Sequence, residues 1–252
     1  MQAHLDEKLA QYCIAPGVYV VPNYSETVLN KNPATLLDEL VTRYPVRGEG
    51  DAIQRDVVQW VDGDNAALRY RGHVLRRCKI WLQRGATATV GFLRYRYTGW
   101  QWRVLPATVD VAMCPEVAPV TDKYDVWCDQ FGAPHANHYI ITCYEDGRHS
   151  IGWHFDKPES IDANSLITVV KLGEHARPFA LRRLGETMPF FCDVLAPGTA
   201  VIMTMAANLA TQHSVPEVGR AGRSGSIVFR TIIESFTEAE VAAELAARAI
   251  PF

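Results

Sequence analysis

The second half of the chain consists of short apolar runs that are bounded by glycine, proline or charged residues. After position 137 these runs are HYIITCY, HSIGWHFD, SLITVVKLG, PFALRRL, FFCDVL, TAVIMT, HSVPEV and GSIVFRTIIE. Runs of this length are typical of β-strands, and no run with helical periodicity separates them. Because a parallel βαβ sheet needs helices between its strands, the pattern favours a two-sheet β-sandwich or jelly roll.

The first half of the chain has a mixed pattern of strand and helix. Residues 17–24, GVYVVPNY, predict a short strand. Residues 32–44, NPATLLDELVTRY, predict a helix, because Asn32 can cap it, Pro33 suits the first turn and leucines recur on one face. From 57 to 113 the apolar runs are again strand-like, and most are bounded by glycine, proline or Asp-Gly.

These patterns predict a single domain of mixed α+β class that is mainly β. Residues 1–136 form an N-terminal extension with a helix and strands, and residues 137–236 form the β core. Residues 237–252 predict a short C-terminal helix, for which Thr237 and Glu240 supply a capping box. All-β folds of this length often remain one domain, so we expect no independent second unit.

Composition narrows the class of protein further. The chain of 252 residues is 48% hydrophobic with a net charge of −3, so any contact with a polyanion requires a local basic patch. Its six cysteines include no CxxC pair, which favours reduced thiols in an intracellular protein of the cytoplasm or nucleus. The N-terminus does not resemble a signal peptide, and no apolar stretch is long enough to span a bilayer. We therefore expect a monomer without membrane contact.

The first candidate functional residues lie in SIGWHFD, residues 150–156. His154 and Asp156 are two positions apart, so on a strand they point to the same face, and a buried strand seldom carries two polar side chains there without a ligand. A third polar residue, His213, lies in QHSVP, far along the same β region. Two imidazoles and one carboxylate are the ligands of non-haem Fe(II) oxygenases, whereas structural zinc usually has four ligands including thiolates. The His-x-Asp triplet alone also suits a solvated turn, which leaves that alternative open.

Several segments, taken in order, resemble the core of AlkB-like Fe(II)/2-oxoglutarate dioxygenases. They are YEDGRHSIGWHFD, VVKLGEHARPFAL, LAPGTAVIMT, QHSVP and SIVFRTI, preceded by LRYRYTGWQW and CDQFGAPHANHYIITCYEDG. The resemblance covers residues 80–232. It implies a double-stranded β-helix core of the jelly-roll or cupin-like type, with lid strands over the substrate in the N-terminal part. It also implies Fe(II), 2-oxoglutarate and O₂ as cofactors, and His154, Asp156 and His213 as the catalytic metal ligands.

The resemblance also indicates residues that would bind the cosubstrate. Arg230 in SIVFRTI matches the final arginine of the family, and Tyr144 matches its tyrosine before the turn. The planar guanidinium of arginine fits a carboxylate with two parallel hydrogen bonds. We therefore predict that Arg230 and Tyr144 bind 2-oxoglutarate.

Three positions depart from the family pattern. Ser224 and Ser226 stand where the family has arginine and asparagine, and Thr142 stands in place of another asparagine. Arg223 is adjacent to Ser224, but strand parity turns it to the opposite face unless a bulge turns it inward. The anchoring of the keto acid must therefore be rearranged, and a different keto acid is a second possibility. The predicted cosubstrate residues are Arg230, Tyr144, Thr142, Ser224 and Arg223, with Lys171 and Arg182 as further candidates.

For the prime substrate, the resemblance implies alkylated nucleobases in DNA or RNA, held as a single strand or flipped out of a duplex. The segment LRYRGHVLRRCK is basic and is followed by aromatic residues, a mixture that suits single-stranded nucleic acid. A solvated β-hairpin would have the same composition. The acidic residue that nucleic-acid-repairing members carry two positions after the metal aspartate is replaced by Pro158, so Glu159 would have to substitute. The predicted substrate-binding residues are Tyr97, Trp100, Trp102, Arg76, Arg77 and Glu159.

Two other functions are compatible with these motifs. The acidic net charge, Pro158 and the altered anchor favour a hydroxylase of a protein side chain or a small metabolite on the same scaffold. A metal-binding protein without catalytic activity is a third possibility, against which the presence of all three ligand residues argues.

Overall fold

The computed structural model describes residues 1–54, 56–63, 65, 75–85, 92–93, 108–233, 235–236, 239 and 243. The helices of this described part are α1 (Gln2–Lys8), α2 (Tyr24–Thr27), α3 (Pro33–Arg43), α4 (Ala118–Asp129) and α5 (Met205–Ala210). Short 3-10 turns lie at Ala10–Tyr12, Val111–Met113 and Pro158–Ser160. The strands of the first half are β1 (Cys13–Ala15), β2 (Val18–Val21), β3 (Val46–Arg47), β4 (Trp60–Val61), β5 (Cys78–Gln83), β6 (Phe92–Leu93) and β7 (Thr108–Asp110). Those of the second half are β8 (His138–Tyr144), β9 (Ile151–His154), β10 (Leu166–Gly173), β11 (Arg177–Arg183), β12 (Phe191–Leu195), β13 (Ala200–Thr204), β14 (Thr211–Val215), β15 (Ser224–Arg230) and β16 (Ser235–Phe236).

The strands form a large and a small sheet, and β6 pairs separately with β16. The large sheet has the order β1-β2-β13-β10-β15-β8-β5-β4-β3, with β7 beside β5. The small sheet has the order β12-β11-β14-β9. Between β8 and β15 the chain passes repeatedly from one sheet to the other, and all neighbouring strands of this part are antiparallel. This mixed, mainly β arrangement is consistent with the jelly roll that the sequence predicts.

Two hydrophobic clusters pack the large sheet against the small sheet on one face and against helices on the other. One joins Phe179 of the small sheet to Val169 and Val201 of the large sheet. The other includes residues of α3, of α4 and of the opposite face of the large sheet, where Tyr124 stacks on Phe229 with ring centroids 4.2 Å apart. The central strand β10 is consequently buried along its whole length, which explains why its sequence shows no alternation of polar and apolar residues.

Most of the predicted elements are confirmed. Each of the eight apolar runs after position 137 overlaps one of the strands β8 to β15, and residues 17–24 contain β2. Helix α3 begins as predicted, because the side chain of Asn32 accepts hydrogen bonds from the backbone N–H groups of Ala34 and Thr35 at 3.1 and 3.0 Å.

The expectation that no helix interrupts the core strands is wrong. Helix α5 lies between β13 and β14, where the sequence analysis finds no run with helical periodicity. The hydroxyl of Thr204 accepts the backbone N–H of Ala207 at 3.3 Å and caps the helix. A helix this short inside a longer apolar stretch has too few turns for its periodicity to be recognised.

Helix α4 is also absent from the sequence analysis. Its N-cap residue, Val117, makes no side-chain capping hydrogen bond, and its sequence contains β-branched residues with modest helix propensity. The helix instead buries Tyr124 and Trp127 in the hydrophobic cluster on the outer face of the large sheet. Tertiary packing therefore accounts for a helix that local sequence signals do not mark.

The remaining predictions concern the C-terminus, membrane contact and disulfides. Of the predicted C-terminal helix, residues 239 and 243 are described and both are helical, whereas Thr237 and Glu240 lie outside the described residues. No helix in the described part of the chain combines the length and apolar character needed to cross a bilayer. None of the six cysteines, all of which are described, forms a disulfide bond.

Candidate metal centre

Three potential metal ligands converge at the end of β9. His154 is the last residue of this strand, Asp156 follows two positions later, and His213 lies on β14 directly opposite His154. One ligand atom from each of the three side chains lies within 4.8 Å of the other two. Asp156 and His213 are buried and His154 is partly buried. The cross-strand pairing thus joins ligand residues that are far apart in the sequence.

The electrostatic environment prepares these residues for metal binding. Burial, reinforced by the neighbouring His213, lowers the pKa of His154 to about 3. Burial also lowers the pKa of His213. For Asp156, burial alone would raise the pKa, but the Arg230 guanidinium and the two imidazoles outweigh it and hold the pKa below its ordinary value. At neutral pH the site therefore contains two neutral imidazoles and one carboxylate, the protonation state that a divalent metal requires.

Neighbouring groups orient the two imidazoles. Nδ1 of His154 lies 2.8 Å from the carbonyl oxygen of Gly152, so an Nδ1–H donates there and Nε2 is left for the metal. The ring of His213 is stacked against Phe179, with centroids 5.8 Å apart and an angle of 14° between the planes. These contacts fix the directions of both rings and leave Nε2 of His154 available for a metal.

Asn208 on α5 fixes the backbone at the carboxylate ligand. Its Oδ1 accepts the N–H of Asp156 at 2.9 Å, and its Nδ2 donates to the carbonyl oxygen of Asp156 at 2.7 Å. Both groups are buried, so this pair of bonds defines where the loop after β9 lies. The sequence analysis misses Asn208, although a polar residue within the apolar stretch MAANLA was the available signal.

Arg230 contacts the same carboxylate from the large sheet. Its Nε lies 3.1 Å from Oδ2 of Asp156, and both side chains are almost completely buried. Arg230 is the last residue of β15 and pairs with His138 of β8. The predicted cosubstrate arginine therefore forms an ion pair with the predicted metal ligand Asp156.

A row of polar side chains crosses the large sheet further from the metal ligands. Lys171, Ser226, Thr142 and Lys79 lie opposite one another on β10, β15, β8 and β5. Residues directly opposite in antiparallel strands share a face, and Ser226 shares its face with Arg230 because the two are four positions apart. The row therefore lies about 13 Å of backbone from Arg230 on the same inner face.

Two cations approach the ring of the predicted cosubstrate residue Tyr144. Nζ of Lys171 lies 5.7 Å and the guanidinium carbon of Arg177 lies 5.4 Å from its centroid. Burial raises the pKa of Tyr144 to about 12, so its hydroxyl stays protonated at neutral pH. The guanidinium of Arg177 donates to the carbonyl oxygens of Asp146 and His149 at 2.8 and 2.5 Å. Arg177 is thus engaged by the backbone, and the sequence analysis does not predict it.

The other predicted cosubstrate residues occupy different surroundings. Ser224 is buried beside Tyr144 in the strand pairing. Arg223 is not brought into this cluster: it is exposed, and its Nε lies 2.9 Å from the Glu145 carboxylate. The pairing of β15 with β8 runs without a register shift from Ser224 to Arg230, so this stretch contains no bulge. Arg182 donates to the side chain of Gln212 at 2.8 Å on the small sheet.

The predicted substrate residues are only partly described. Arg76 is exposed, and its carbonyl oxygen accepts the N–H of Ser150 just before β9 at 3.2 Å. Arg77 is partly buried and donates to the carbonyl oxygen of Ser150 at 2.9 Å. Glu159 is exposed in the turn after Asp156. Tyr97, Trp100 and Trp102 lie outside the described residues.

The chain is similar to solved structures along most of its length. No family model and no curated protein matches the chain. A solved structure, described as an oxidoreductase of the 2OG-Fe(II) oxygenase family from Burkholderia pseudomallei, is similar with a TM-score of 0.45 and 18% sequence identity. The match covers 91% of this chain and 88% of that chain.

Proposed function

We propose that the protein is a non-haem Fe(II)- and 2-oxoglutarate-dependent dioxygenase. The observation that carries the proposal is the convergence of His154, Asp156 and His213 to within 4.8 Å in a metal-ready protonation state. Two imidazoles and one carboxylate fit Fe(II) and leave coordination positions for a chelating keto acid and O₂. When bound, Fe(II) with 2-oxoglutarate and O₂ would supply the oxidation that inserts one oxygen atom into a substrate C–H bond and yields succinate and CO₂.

The residues of the chain have positioning roles in this proposal. His154 and His213 present neutral nitrogen atoms whose directions are fixed by Gly152 and by packing on Phe179. Arg230 keeps Asp156 ionised and limits the rotation of its carboxylate. Phe179 and Leu181 of the apolar cluster between the sheets lie beside His213 and limit the access of water to it.

We further propose that the prime substrate is an alkylated nucleobase in DNA or RNA, with oxidative demethylation as the outcome. Hydroxylation of an N-methyl group produces a hydroxymethyl group that is lost as formaldehyde. Arg76 supports the proposal, because it is an exposed cation next to the strand that carries His154. The phosphates of a single strand approaching the metal centre could contact such a residue.

A hydroxylase of a protein side chain or small metabolite is the second candidate. It is favoured by the surroundings of Glu159, which is exposed in the turn after Asp156. Within the described part of the chain, no hydrogen bond or ion pair joins Glu159 to the predicted metal ligands and fixes it in a base-reading position. The net charge of −3 also favours it over a polyanion-binding protein. Both candidates require the same metal centre and differ in the substrate that they oxidise.

The experiment that tests the proposal couples keto-acid turnover to substrate. The purified protein with Fe(II), ascorbate and 2-oxoglutarate is incubated with methylated single-stranded oligonucleotides, peptides or small metabolites, and succinate and formaldehyde are measured. We expect methylated oligonucleotides to stimulate succinate formation, with formaldehyde in equal amount. Stimulation by peptides or metabolites alone would replace the nucleobase proposal by the second candidate. Absence of succinate under every condition would contradict the dioxygenase proposal.

A charge reversal tests the nucleic-acid contact separately. We expect Arg76→Glu to weaken binding of a single-stranded oligonucleotide and to reduce the slope of log affinity against log salt by about 0.7, the value for one lost phosphate contact. Arg77 is unsuitable for this test because its side chain supports the backbone at Ser150. Lys123→Glu on the exposed face of α4 is the matched control, since it changes the net charge equally. If Arg76→Glu and Lys123→Glu give the same slope as the wild type, Arg76 does not contact phosphate.

A further inference from the structure

Lys171 is an unusual residue for the centre of a sheet. It lies on β10 between two neighbouring strands and only 2% of its surface is exposed. Its Nζ has no hydrogen-bond partner among the described residues. Lysine is rarely buried without a partner, because an ammonium group loses its hydration and its three donors remain unused. Because burying Lys171 without a partner lowers the stability of the ligand-free protein, its presence suggests that a bound ligand supplies the partner of the ammonium group.

Among the residues that the structure describes, those around Lys171 include hydrogen-bond donors, and no acidic side chain acts on its ammonium group. Ser226 lies opposite Lys171 on β15, and the adjacent Oγ of Ser224 is also buried without a hydrogen-bond partner among the described residues. Burial, together with the nearby Arg177 guanidinium, lowers the pKa of Lys171 to about 7. A cation, a phenol and the unpartnered Ser224 hydroxyl share one face of the sheet, and together they can donate to a carboxylate.

The position of Lys171 relative to the metal ligands specifies which carboxylate this would be. Lys171 belongs to the polar row that includes Ser226 and Thr142, and Arg230 lies four residues further along β15 on the same face. Arg230 is already paired with Asp156 at the metal end. A keto acid whose oxo-acid end chelates the metal would therefore extend its other end towards Lys171, between the two sheets.

Other cations near this point are less suitable. The guanidinium of Arg177 is held by two backbone carbonyl oxygens, and Arg223 is paired with Glu145 near the surface. Arg182 is bonded to Gln212 and stacks on Trp153, with 4.5 Å between its guanidinium carbon and the ring centroid. Each of these groups has a hydrogen-bond partner in the structure, whereas Nζ of Lys171 has none among the described residues and lies over the Tyr144 ring.

We propose that Lys171 binds the far carboxylate of the keto acid, with Tyr144 and Ser224 as additional donors, and that it selects a dicarboxylic keto acid over a monocarboxylic one. The proposal rests on the proposed function. The cation that holds this carboxylate would come from β10 and not from β15. On β15, Ser224 occupies the position where the resembled family has an arginine. Arg230 would act at the opposite end of the same ligand.

The test compares two keto acids that differ in the far carboxylate. The protein is loaded with Mn(II), which binds keto acids without turnover, and is titrated calorimetrically with 2-oxoglutarate and with pyruvate. We expect the wild type to bind 2-oxoglutarate more tightly than pyruvate, and Lys171→Met to weaken 2-oxoglutarate at least about tenfold, as expected for loss of a charged hydrogen bond. The affinity for pyruvate should remain unchanged, because pyruvate has no far carboxylate.

A second measurement separates ligand binding from a structural role. Methionine has nearly the shape of lysine without its charge, so we expect Lys171→Met to raise the melting temperature of the protein without keto acid. Lys123→Met, at an exposed position on α4, is the control and should alter neither property. A lower melting temperature together with equal loss of both keto acids would identify a structural lysine and overturn the proposal.

The outcomes also distinguish this proposal from the proposed function. If Lys171→Met retains the wild-type preference for 2-oxoglutarate, the role of Lys171 is refuted while the dioxygenase proposal stands. If the Mn(II)-loaded wild type binds neither keto acid, the dioxygenase proposal fails and the assignment of Lys171 fails with it.

Discussion

Replacing His213 by alanine is expected to abolish keto-acid turnover and to weaken metal binding by more than about 100-fold. Loss of a residue that merely supports a ligand typically costs 10- to 100-fold, so loss of a ligand should exceed this range. The same result is expected for His154→Ala and Asp156→Ala, because a site with three protein ligands has none to spare. Metal affinity measured by Mn(II) titration and succinate formation measured with added Fe(II) provide the two readouts. A variant that keeps wild-type succinate formation with added iron would show that the replaced residue is not a ligand.

Stability measurements distinguish the carboxylate ligand from the imidazoles. In the metal-free protein, Asp156→Ala removes the carboxylate that lies 3.1 Å from the buried Arg230 guanidinium. Breaking a buried ion pair in this way costs about 3–5 kcal/mol, equivalent to a fall in melting temperature of roughly 6–20 °C for a domain of this size. His213→Leu, which keeps an apolar contact with Phe179, should cost less than about 1.5 kcal/mol. Equal losses of stability would mean that the Arg230–Asp156 pair contributes little to the fold.

The ligand residues differ in how far the sequence alone could identify them. His154 and Asp156 are visible because they are two positions apart in a run that otherwise reads as a strand. His213 is brought to them by the pairing of β14 with β9, and such a long-range pairing has no local signal. His213 was identified as a ligand by the resemblance of several segments in the same order, because its distance from His154 along the sequence gives no such indication.

Lys171 and Asn208 show how much depends on burial and packing. The sequence analysis names Lys171 only as a further candidate, because a lysine in LITVVKLG would ordinarily face solvent, whereas both faces of β10 are buried. Asn208 lies on a six-residue helix whose existence depends on packing and on the Thr204 cap. Burial on both sides and short helices are consequences of tertiary structure, so the local pattern does not specify them. The aromatic residues expected to bind substrate, from 95 to 102, lie outside the described residues and remain predictions.

Arg230→Ala is expected to raise the concentration of 2-oxoglutarate needed for half-maximal turnover by at least about 30-fold, whereas Arg223→Ala should change it by less than about fivefold. The difference follows from burial. Truncating one partner of a buried charged pair costs about 2–5 kcal/mol, and a surface ion pair such as Arg223–Glu145 contributes about 0–1 kcal/mol. Arg223 thus serves as the matched control, with the same side chain seven positions away.

The metal dependence of Arg230→Ala then separates two ways in which Arg230 could act. Without the guanidinium, the buried Asp156 loses the group that lowers its pKa, so protons compete more strongly with the metal at neutral pH. If Arg230 acts through Asp156, raising the Fe(II) concentration or the pH should restore most of the turnover of the variant. If it binds the keto acid directly, only additional 2-oxoglutarate should restore it. Equal effects of Arg230→Ala and Arg223→Ala would contradict both mechanisms. They would mean that Arg223 also helps to bind the keto acid, although strand parity turns its side chain to the opposite face.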